Sequence, residues 1–492
     1  MLAPVAGLPA DIRPTVGFDG SQAAAGSVLS SDPDLHLARR ATFGQTPSVV
    51  ADIRSQGATA WLDRQLNPSQ IDDSAMNSLL AKFPMISASL AVLNAQTQPR
   101  LGALELVQAT LARQIWSKRQ LFEIMVDFWS NHLNVHTPES ATHITKPIED
   151  RTVTRVHALG RFEDLLVASG RSPAMLRYLD NADSKLPNPN ENYGRELLQL
   201  HTVGAGANFT EVDVVNSARI LTGRSVDATN TFVYKPDWHF VGPVSVLGWS
   251  SSNASASSGL STGDSYLRYL ARHEQTARSL SRKLAIRFVS DTPPGSLVDH
   301  LTDVYLESGT AIVPWVRALF QSPEFAASTG QKMRRPLEDI VASVRAMKLG
   351  VPTGNDVSGI KLLVTDSAKF GMQPLDCGPP TGYPDVAAGW WAVGGMLSRC
   401  NWHRIVSRVH PPGLPRPPLN DLLAGPPMAT HGEMADRLAV SLTGQVFRSD
   451  HREALLAFAG LTSTQKYEQR KVDRWLKDFV ELVLNSPYLV LR

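Results

Sequence analysis

Apolar residues recur at intervals of three and four along most of this chain, and that spacing is typical of helices with one buried face. The longest such run extends from Leu106 to Phe128. Alternating apolar residues are confined to 231–234 and 244–247, which predict two strands paired as a hairpin. The pattern therefore predicts a mainly α fold, an irregular multi-helix bundle with one small β hairpin near 231–248.

Changes in composition divide the chain into three parts. Residues 1–31 are rich in Ala, Gly, Pro and Ser and are predicted to form a flexible arm. Residues 32–372 are predicted to form the main helical body, which is interrupted by a mobile loop of small polar residues at 250–263. Residues 373–492 begin with a Pro/Gly-rich segment and end in helices that we expect to pack on the body.

Residues 188–204 concentrate side chains that can titrate, bind metals or form hydrogen bonds. On an ideal helix Asn192, Glu196 and Gln199 fall at i, i+4 and i+7, and so form one polar stripe beside the apolar stripe that contains Tyr193. Such a stripe forms either one wall of a site or a solvated helix face. Both interpretations stay open from the sequence alone.

Charged residues around this stripe extend the candidate site. Glu191 lies at the positive end of the helix dipole and is spaced for an i, i+4 ion pair with Arg195. Upstream, 180–184 contains Asp180 and three more short side chains with oxygen atoms, which suit helix capping, Asx turns or a hard cation. Capping would use only one or two of them.

Histidines supply the third kind of candidate. His132 and His136 follow Asn131 at the end of the long apolar run, four residues apart, which is the spacing of two imidazole ligands to one metal if the helix continues. A buried histidine can equally bond to a backbone carbonyl. His239 lies in a predicted turn flanked by Gly and Pro, where a loop could display it, and we expect the loop at 250–263 to cover a cleft lined by residues 190–201.

These motifs occur in an order that resembles the bacterial family known only as domain of unknown function 1800. The blocks that carry the resemblance are His36–Gly44, Phe128–His132, His157–Leu166, Pro173–Asn181, Asn190–His201, Thr210–Gly223 and His273–Asp291. The resemblance covers most of the chain and implies no known activity. It implies a large bacterial protein, exported in many cases, that is often encoded beside a sulfatase-like or phosphatase-like protein.

One position departs from the pattern of that family, which tends to have a second Glu where this chain has Gln199. The change removes a charge and a strong metal ligand, so a dinuclear carboxylate site is disfavoured. A site with one metal or none survives the change.

Overall composition narrows the possible functions. The chain is 43% hydrophobic and 19% charged, with a formal net charge of +2, so no global field attracts nucleic acid or an anionic membrane. The densest basic runs, 278–287 and 332–335, are interpreted as solvated helix faces. Cys377 and Cys400 are too few for a disulfide scaffold, and the sequence does not decide whether they pair.

Localisation follows from similar arguments. No apolar run reaches 18 residues, which predicts no membrane span. Residues 1–10 lack the basic start of a signal peptide. The protein as given is therefore expected to be cytoplasmic, with export possible if a signal peptide was removed.

The leading hypothesis is a metal-dependent enzyme, hydrolytic or oxidative, in which a divalent metal ion activates water or oxygen. Its residues fall into three roles. The metal ligands are His132, Glu196 and His201; the catalytic groups are Glu196, His239, Glu191 and Tyr193; and the cofactor-binding residues are Asn131, Asn192, Arg195 and Asp180. Glu196 and His201 lie about 140° apart on an ideal helix, so they can share a metal only if the helix ends or bends between them.

Two other hypotheses remain. In the first, the polar cluster only ties helices together in a binding or scaffold protein that acts with a separately encoded enzyme. In the second, His132 or His201 holds haem beside Phe128 and Trp129.

Overall fold

The computed structural model describes residues 27–137 and 142–492. The fold is mainly α with small antiparallel hairpins, which confirms the predicted fold class. In chain order the α-helices are α1 Pro33–Ala41, α2 Pro47–Gln56, α3 Ala58–Gln65, α4 Ser74–Leu80, α5 Leu90–Asn94, α6 Leu101–Trp116, α7 Gln120–His132, α8 Lys146–Glu149, α9 Arg155–His157, α10 Phe162–Ser169, α11 Pro173–Tyr178, α12 Asn192–Glu196, α13 Glu211–Leu221, α14 Gly259–Arg272, α15 Glu274–Phe288, α16 Gly295–Glu307, α17 Ile312–Gln321, α18 Pro323–Ala326, α19 Pro336–Ala346, α20 Ser358–Lys369, α21 Val393–Arg408, α22 His431–Thr443, α23 Ser449–Ala457, α24 Gln469–Leu484 and α25 Pro487–Val490.

Two π-helical turns interrupt this pattern, at Asp150–Thr154 and at Leu197–His201. The second continues directly from α12, so the helix predicted over the polar stripe is present but widens in its last turn. A π turn inserts an extra residue and is frequent at functional sites. It also changes which side chains and carbonyl groups the helix presents at its end.

The helix starts follow from local chemistry. Asp32 caps α1 by accepting hydrogen bonds from the backbone N–H groups of Asp34 and Leu35. Thr46 caps α2, as its position in the sequence predicts. Thr210 and Asp213 form a reciprocal capping box at the start of α13.

The strands form two hairpins instead of the single predicted one. Strand β1, Arg224–Val226, pairs with β2, Phe232–Tyr234, and β3, Val244–Val246, pairs with β4, Trp249–Ser251. The predicted pairing of 231–234 with 244–247 is therefore wrong. The reason is a two-residue turn at Leu247 and Gly248, with φ of 49° and 89°. Positive φ at both residues gives a turn whose twist matches that of the strands, so β3 pairs with its neighbour in sequence.

The segment 250–263, predicted to be a mobile loop, has regular structure at both ends. Its first residues belong to β4 and its last five form the first turn of α14. The hydroxyl groups of Ser261 and Thr262 bond to the carbonyl of Ser258, so small polar residues stabilise this helix start. Its mobility and its position over residues 190–201 stay predictions.

The core brings the two ends of the described chain together. Leu29 is buried and the Ser30 N–H donates to the Gln445 side chain at 2.8 Å, so this part of the predicted arm packs on the body. The rest of the predicted arm, residues 1–26, lies outside the described residues. Gln45, just after α1, donates to the carbonyl of Thr443 at 3.2 Å, which joins α22 to the start of the body.

None of the helices in residues 27–137 and 142–492 is both long and apolar enough to cross a bilayer. Cys377 is buried, Cys400 is exposed, and both are free thiols.

Candidate functional site

A buried group of imidazoles and an amine forms where the end of α7 meets the π turn and α15. His132, the last residue of α7, has its Nε2 atom 3.0 Å from the carbonyl oxygen of His201. Because a carbonyl oxygen only accepts, Nε2 carries the proton, and Nδ1 accepts from the Lys283 amine at 3.0 Å. Both ring nitrogens of His132 are therefore engaged, and burial together with the charge of Lys283 holds its pKa well below the usual value.

Lys283 is a part of this group that sequence reasoning missed. Its amine also donates to the carbonyl of Leu200 at 3.0 Å, so it neutralises the negative end of the helix that includes the π turn. Burial lowers the pKa of Lys283 to about 8. Lys283 lies in the His273–Asp291 block, but the basic pattern of 278–287 predicts a solvated helix face, and Lys283 does not lie on one.

The side chains of His201 and Tyr193 have no hydrogen-bond partners in the part of the chain that the structure describes. Both side chains are fully buried, and neither the ring nitrogens of His201 nor the Tyr193 hydroxyl group has a partner. Burial, with a smaller contribution from Lys283, lowers the pKa of His201 to about 3. Burial raises the pKa of Tyr193 to about 12, so both groups are neutral at physiological pH.

The predicted metal ligands do not assemble into a site. In residues 27–137 and 142–492, no group of three or more His, Cys, Asp or Glu side chains could hold a metal ion. His132 would have to break a hydrogen bond to offer a ring nitrogen to a metal or to haem. Glu196 is half-buried, and burial raises its pKa. The predicted ligand set of His132, Glu196 and His201 therefore does not fit a divalent ion in this arrangement.

The rest of the polar stripe lies near the surface. Arg195 forms ion pairs with Glu211 at 2.7 Å and with Glu191 at 3.4 Å, and Asn192 donates to Asp180 at 3.3 Å. Ion pairs this exposed contribute little to stability. They connect α12 to α13 and to the turn that follows α11, and they do not converge on His132.

His239 is buried and is not displayed on a turn. Only 2% of its surface is exposed. Its Nε2 atom lies 2.9 Å from the Asn253 side-chain oxygen and its Nδ1 atom 3.0 Å from the carbonyl of Thr222. Gly259 packs directly against the imidazole ring, because a Cβ at that position would lie 2.4 Å from it. The start of α14 therefore covers the turn that the sequence suggested was open.

Asn131 has a different role from the predicted cofactor binding. Its side-chain amide donates to the carbonyl of Tyr383 at 2.9 Å and accepts from the N–H of Tyr383 at 2.7 Å. Asn134 donates to the carbonyls of Cys377 and Pro379 at 2.9 and 2.8 Å. His136 bonds to Asp376 at 2.9 Å. The polar residues around the end of α7 thus clamp one distant segment, residues 373–389, which we call the strap.

The strap has no regular structure before a short 3₁₀ turn at Ala387–Gly389. Gly382 shows how closely it fits, because its φ is +71° and an added Cβ would lie 2.3 Å from the carbonyl oxygen of Asn131. The outer edge of the strap, which includes Gly378, Pro379 and Thr381, is exposed. A segment of this length without helix or strand is uncommon in a folded domain and is usually either functional or a linker.

A second feature that the sequence did not suggest is a buried charge cluster, built around Glu338. Arg335 lies 3.2 Å and Arg492 3.4 Å from the Glu338 carboxylate, and Arg287 contacts it as well. Burial alone would raise the pKa of Glu338, but these three charges hold it well below the usual value. Lys332, Arg334 and Arg335 are buried, so the run 332–335 is not a solvated helix face.

A surface groove of about 670 Å³ lies between α2, α3 and the end of α6, and Trp61, Arg64 and Lys118 are among the residues that line it. None of the predicted site residues lines this groove. Of those residues, Glu191 lines a smaller pocket of about 110 Å³ beside Arg219 and Phe240.

The chain matches the model of one protein family over most of its length. The model of the family described as "Protein of unknown function (DUF1800)" matches residues 36–491, and the chain belongs to that family. No curated protein and no solved structure matches the chain.

Proposed function

We propose that this chain is a binding protein that presents the strap to a separately encoded protein. The observation that supports this most directly is the use of Asn131, Asn134 and His136 to hold the strap in one conformation. Loops that bind partners are commonly positioned by a rigid scaffold. Because the strap is already ordered, binding does not incur the entropy cost of ordering it.

The other candidate side chains are consistent with this proposal. His132 and His239 use both ring nitrogens within the fold, and Arg195 is in surface ion pairs. Side chains whose polar atoms already have partners within the fold stabilise helix ends and turns. The partner we propose is the sulfatase-like or phosphatase-like protein that the family resemblance implies.

Two glycines of the strap provide a matched test. Gly382→Ala forces a Cβ against Asn131 at a left-handed φ, whereas Gly378→Ala adds a Cβ that meets nothing within 4 Å. We expect Gly382→Ala to weaken binding of the purified partner at least tenfold by calorimetry, which corresponds to about 1.4 kcal/mol. Gly378→Ala adds one methyl group at the exposed edge and should change the affinity much less. Equal affinity of the wild type and Gly382→Ala would contradict the proposal.

An enzyme is the second candidate, and Lys283 is the observation that favours it. An amine with a pKa of about 8 is partly neutral near physiological pH and can act as a base or a nucleophile. Lys283 is only partly exposed, and His201 beside it has two unpartnered nitrogens. We expect reductive alkylation by a small aldehyde to modify Lys283 selectively if substrate-sized molecules reach it.

Metal analysis separates the binding proposal from a metal-dependent enzyme. The binding proposal expects purified protein without stoichiometric transition metal. About one equivalent of metal that is lost in Glu196→Ala without unfolding would instead support the metal-dependent enzyme.

A further inference from the structure

The surface groove between α2, α3 and the end of α6 has no part in the proposed function of the strap, and we call it the groove. Its volume of about 670 Å³ lies within the range of small-molecule sites, which is about 300–1,000 Å³. Apolar side chains form much of its wall, and they are Val49, Trp61, Ile71, Ile115, Trp116 and Leu349. A wall of this kind suits a ligand with a flat apolar body.

Several polar side chains of the groove are held in place by bonds to the backbone. Gln120 donates to the carbonyl of Ser117 at 2.8 Å and accepts from the N–H of Phe43 at 3.0 Å. The Trp116 indole donates to the carbonyl of Leu349 at 2.9 Å. These bonds fix the wall in one conformation, so a ligand does not incur the entropy cost of ordering it.

Arg345, in the last turn of α19, brings a positive charge without an acidic partner into the groove. Its Nε and Nη1 atoms donate to the carbonyls of Gly44 and Ile115 at 3.0 and 2.5 Å. The third nitrogen, Nη2, donates to none of the described residues, and Arg345 forms no ion pair with any of them. Burial lowers the pKa of Arg345 to about 10, because no nearby carboxylate opposes the effect of burial. A guanidinium group in this setting gains a charged hydrogen bond when an anion binds.

The other charged side chains of the groove determine how much negative charge a ligand should carry. Arg64 pairs with Asp52 at 2.5 Å, so these two charges offset each other. Asp72 and Lys118 are both exposed. With Arg345, the groove is lined by three positive and two negative side chains, so a ligand with one negative charge balances it.

We propose that the groove binds a small carboxylic acid with a flat apolar body and that Arg345 binds its carboxylate. The planar guanidinium group matches the geometry of a carboxylate. A single carboxylate supplies the one negative charge that the lining lacks, and the apolar body packs against the wall that includes Trp61 and Trp116. No residue of the strap lines the groove, so this site does not depend on the proposed function.

Calorimetry of the full chain with two matched probes tests the charge of the ligand. Naphthalene-2-carboxylate and naphthalene-2-carboxamide have nearly the same shape, but only the first is charged. We expect the carboxylate to bind at least tenfold more tightly than the carboxamide, which corresponds to about 1.4 kcal/mol. If the carboxylate does not bind at about 1 mM, or if both probes bind equally, the proposal is overturned and Arg345 serves only to bind the carbonyls of Gly44 and Ile115.

Two variants then test whether the probe binds in the groove. Arg345→Gln removes the charge and should abolish the preference for the carboxylate. Val49→Trp leaves Arg345 unchanged, fills part of the groove and should weaken binding of the carboxylate at least tenfold. The matched control is Val212→Trp, which adds the same ring at a valine that is 67% exposed on α13 and should bind like the wild type.

The result of Val49→Trp decides the location even if Arg345→Gln does not fold. Unchanged binding of the carboxylate by Val49→Trp would place the site elsewhere and overturn the proposal. A folded Arg345→Gln that keeps the full preference for the carboxylate would overturn it as well. Neither result affects the binding of a partner protein by the strap, which Gly382→Ala tests separately.

Discussion

Replacing His201 with Phe should make the protein less sensitive to acid. His201 is fully buried between the rings of His132 and Tyr193, with centroids 6.3 Å from each, and neither of its ring nitrogens has a partner among the described residues. Phenylalanine keeps a planar ring in this place. It removes two buried polar atoms that gain no hydrogen bond there.

The size of the effect follows from the change in the pKa of His201. The pKa of His201 is about 3 in the folded protein, whereas a histidine in an unfolded chain has a pKa of about 6.5. The unfolded state therefore takes up a proton first as the pH falls, and the free energy of unfolding decreases between these two values. At about pH 4.5 this single group should cost about 2.7 kcal/mol of stability, whereas near pH 7.5 it should cost almost nothing.

Urea unfolding of the wild type and His201→Phe at several pH values between about 4.5 and 7.5 measures this difference. We expect the free energy of unfolding of the variant to fall by about 2–3 kcal/mol less than that of the wild type as the pH decreases over that range. His300→Phe, at an exposed position of α16, is the matched control and should keep the slope of the wild type. If His201→Phe keeps that slope too, or loses more than about 3 kcal/mol at pH 7.5, His201 has a polar partner and the reasoning is refuted.

Three further results are expected. Glu338→Gln should destabilise the protein by about 3–5 kcal/mol in urea unfolding, because Arg287 and its neighbours stay buried without the carboxylate; a loss below about 1 kcal/mol would show that the charges are solvated. Lys283→Met should remove the gain in stability that the wild type shows as the pH rises from about 8 to about 10.5, since the folded pKa of Lys283 is lowered; an unchanged alkaline profile would contradict the lowered pKa. Asn131→Ala should speed proteolytic cleavage within the strap without lowering the melting temperature of the body, and an unchanged cleavage pattern would argue against the clamp.

The fold class could be predicted because helix periodicity and capping are local properties. Thr46 caps α2 where its sequence position indicates. Strand pairing was harder to predict, because Leu247 adopts a left-handed conformation that its side chain does not favour. Gly248 is the only residue of that turn whose type indicates one.

The candidate site was predicted only in part, for a different reason. His132, His201 and Tyr193 do lie near one another, as neighbouring rings show. Lys283 was missed because buried and solvated lysines have the same local sequence pattern, and only tertiary packing distinguishes them. The same limit applies to Asn131, whose partner Tyr383 lies 252 positions away in the chain.

The contacts between Gln445 and Ser30 and between Thr443 and Gln45 have a consequence for how the chain folds. They join residues about 400 positions apart. Native contacts of such high sequence separation form late, because a very long loop has to close before they can stabilise anything. The helices of the body therefore remain without their final neighbours during most of synthesis, and fragments cut between residues 372 and 373 should expose apolar surface and aggregate, because neither piece contains both sides of these contacts.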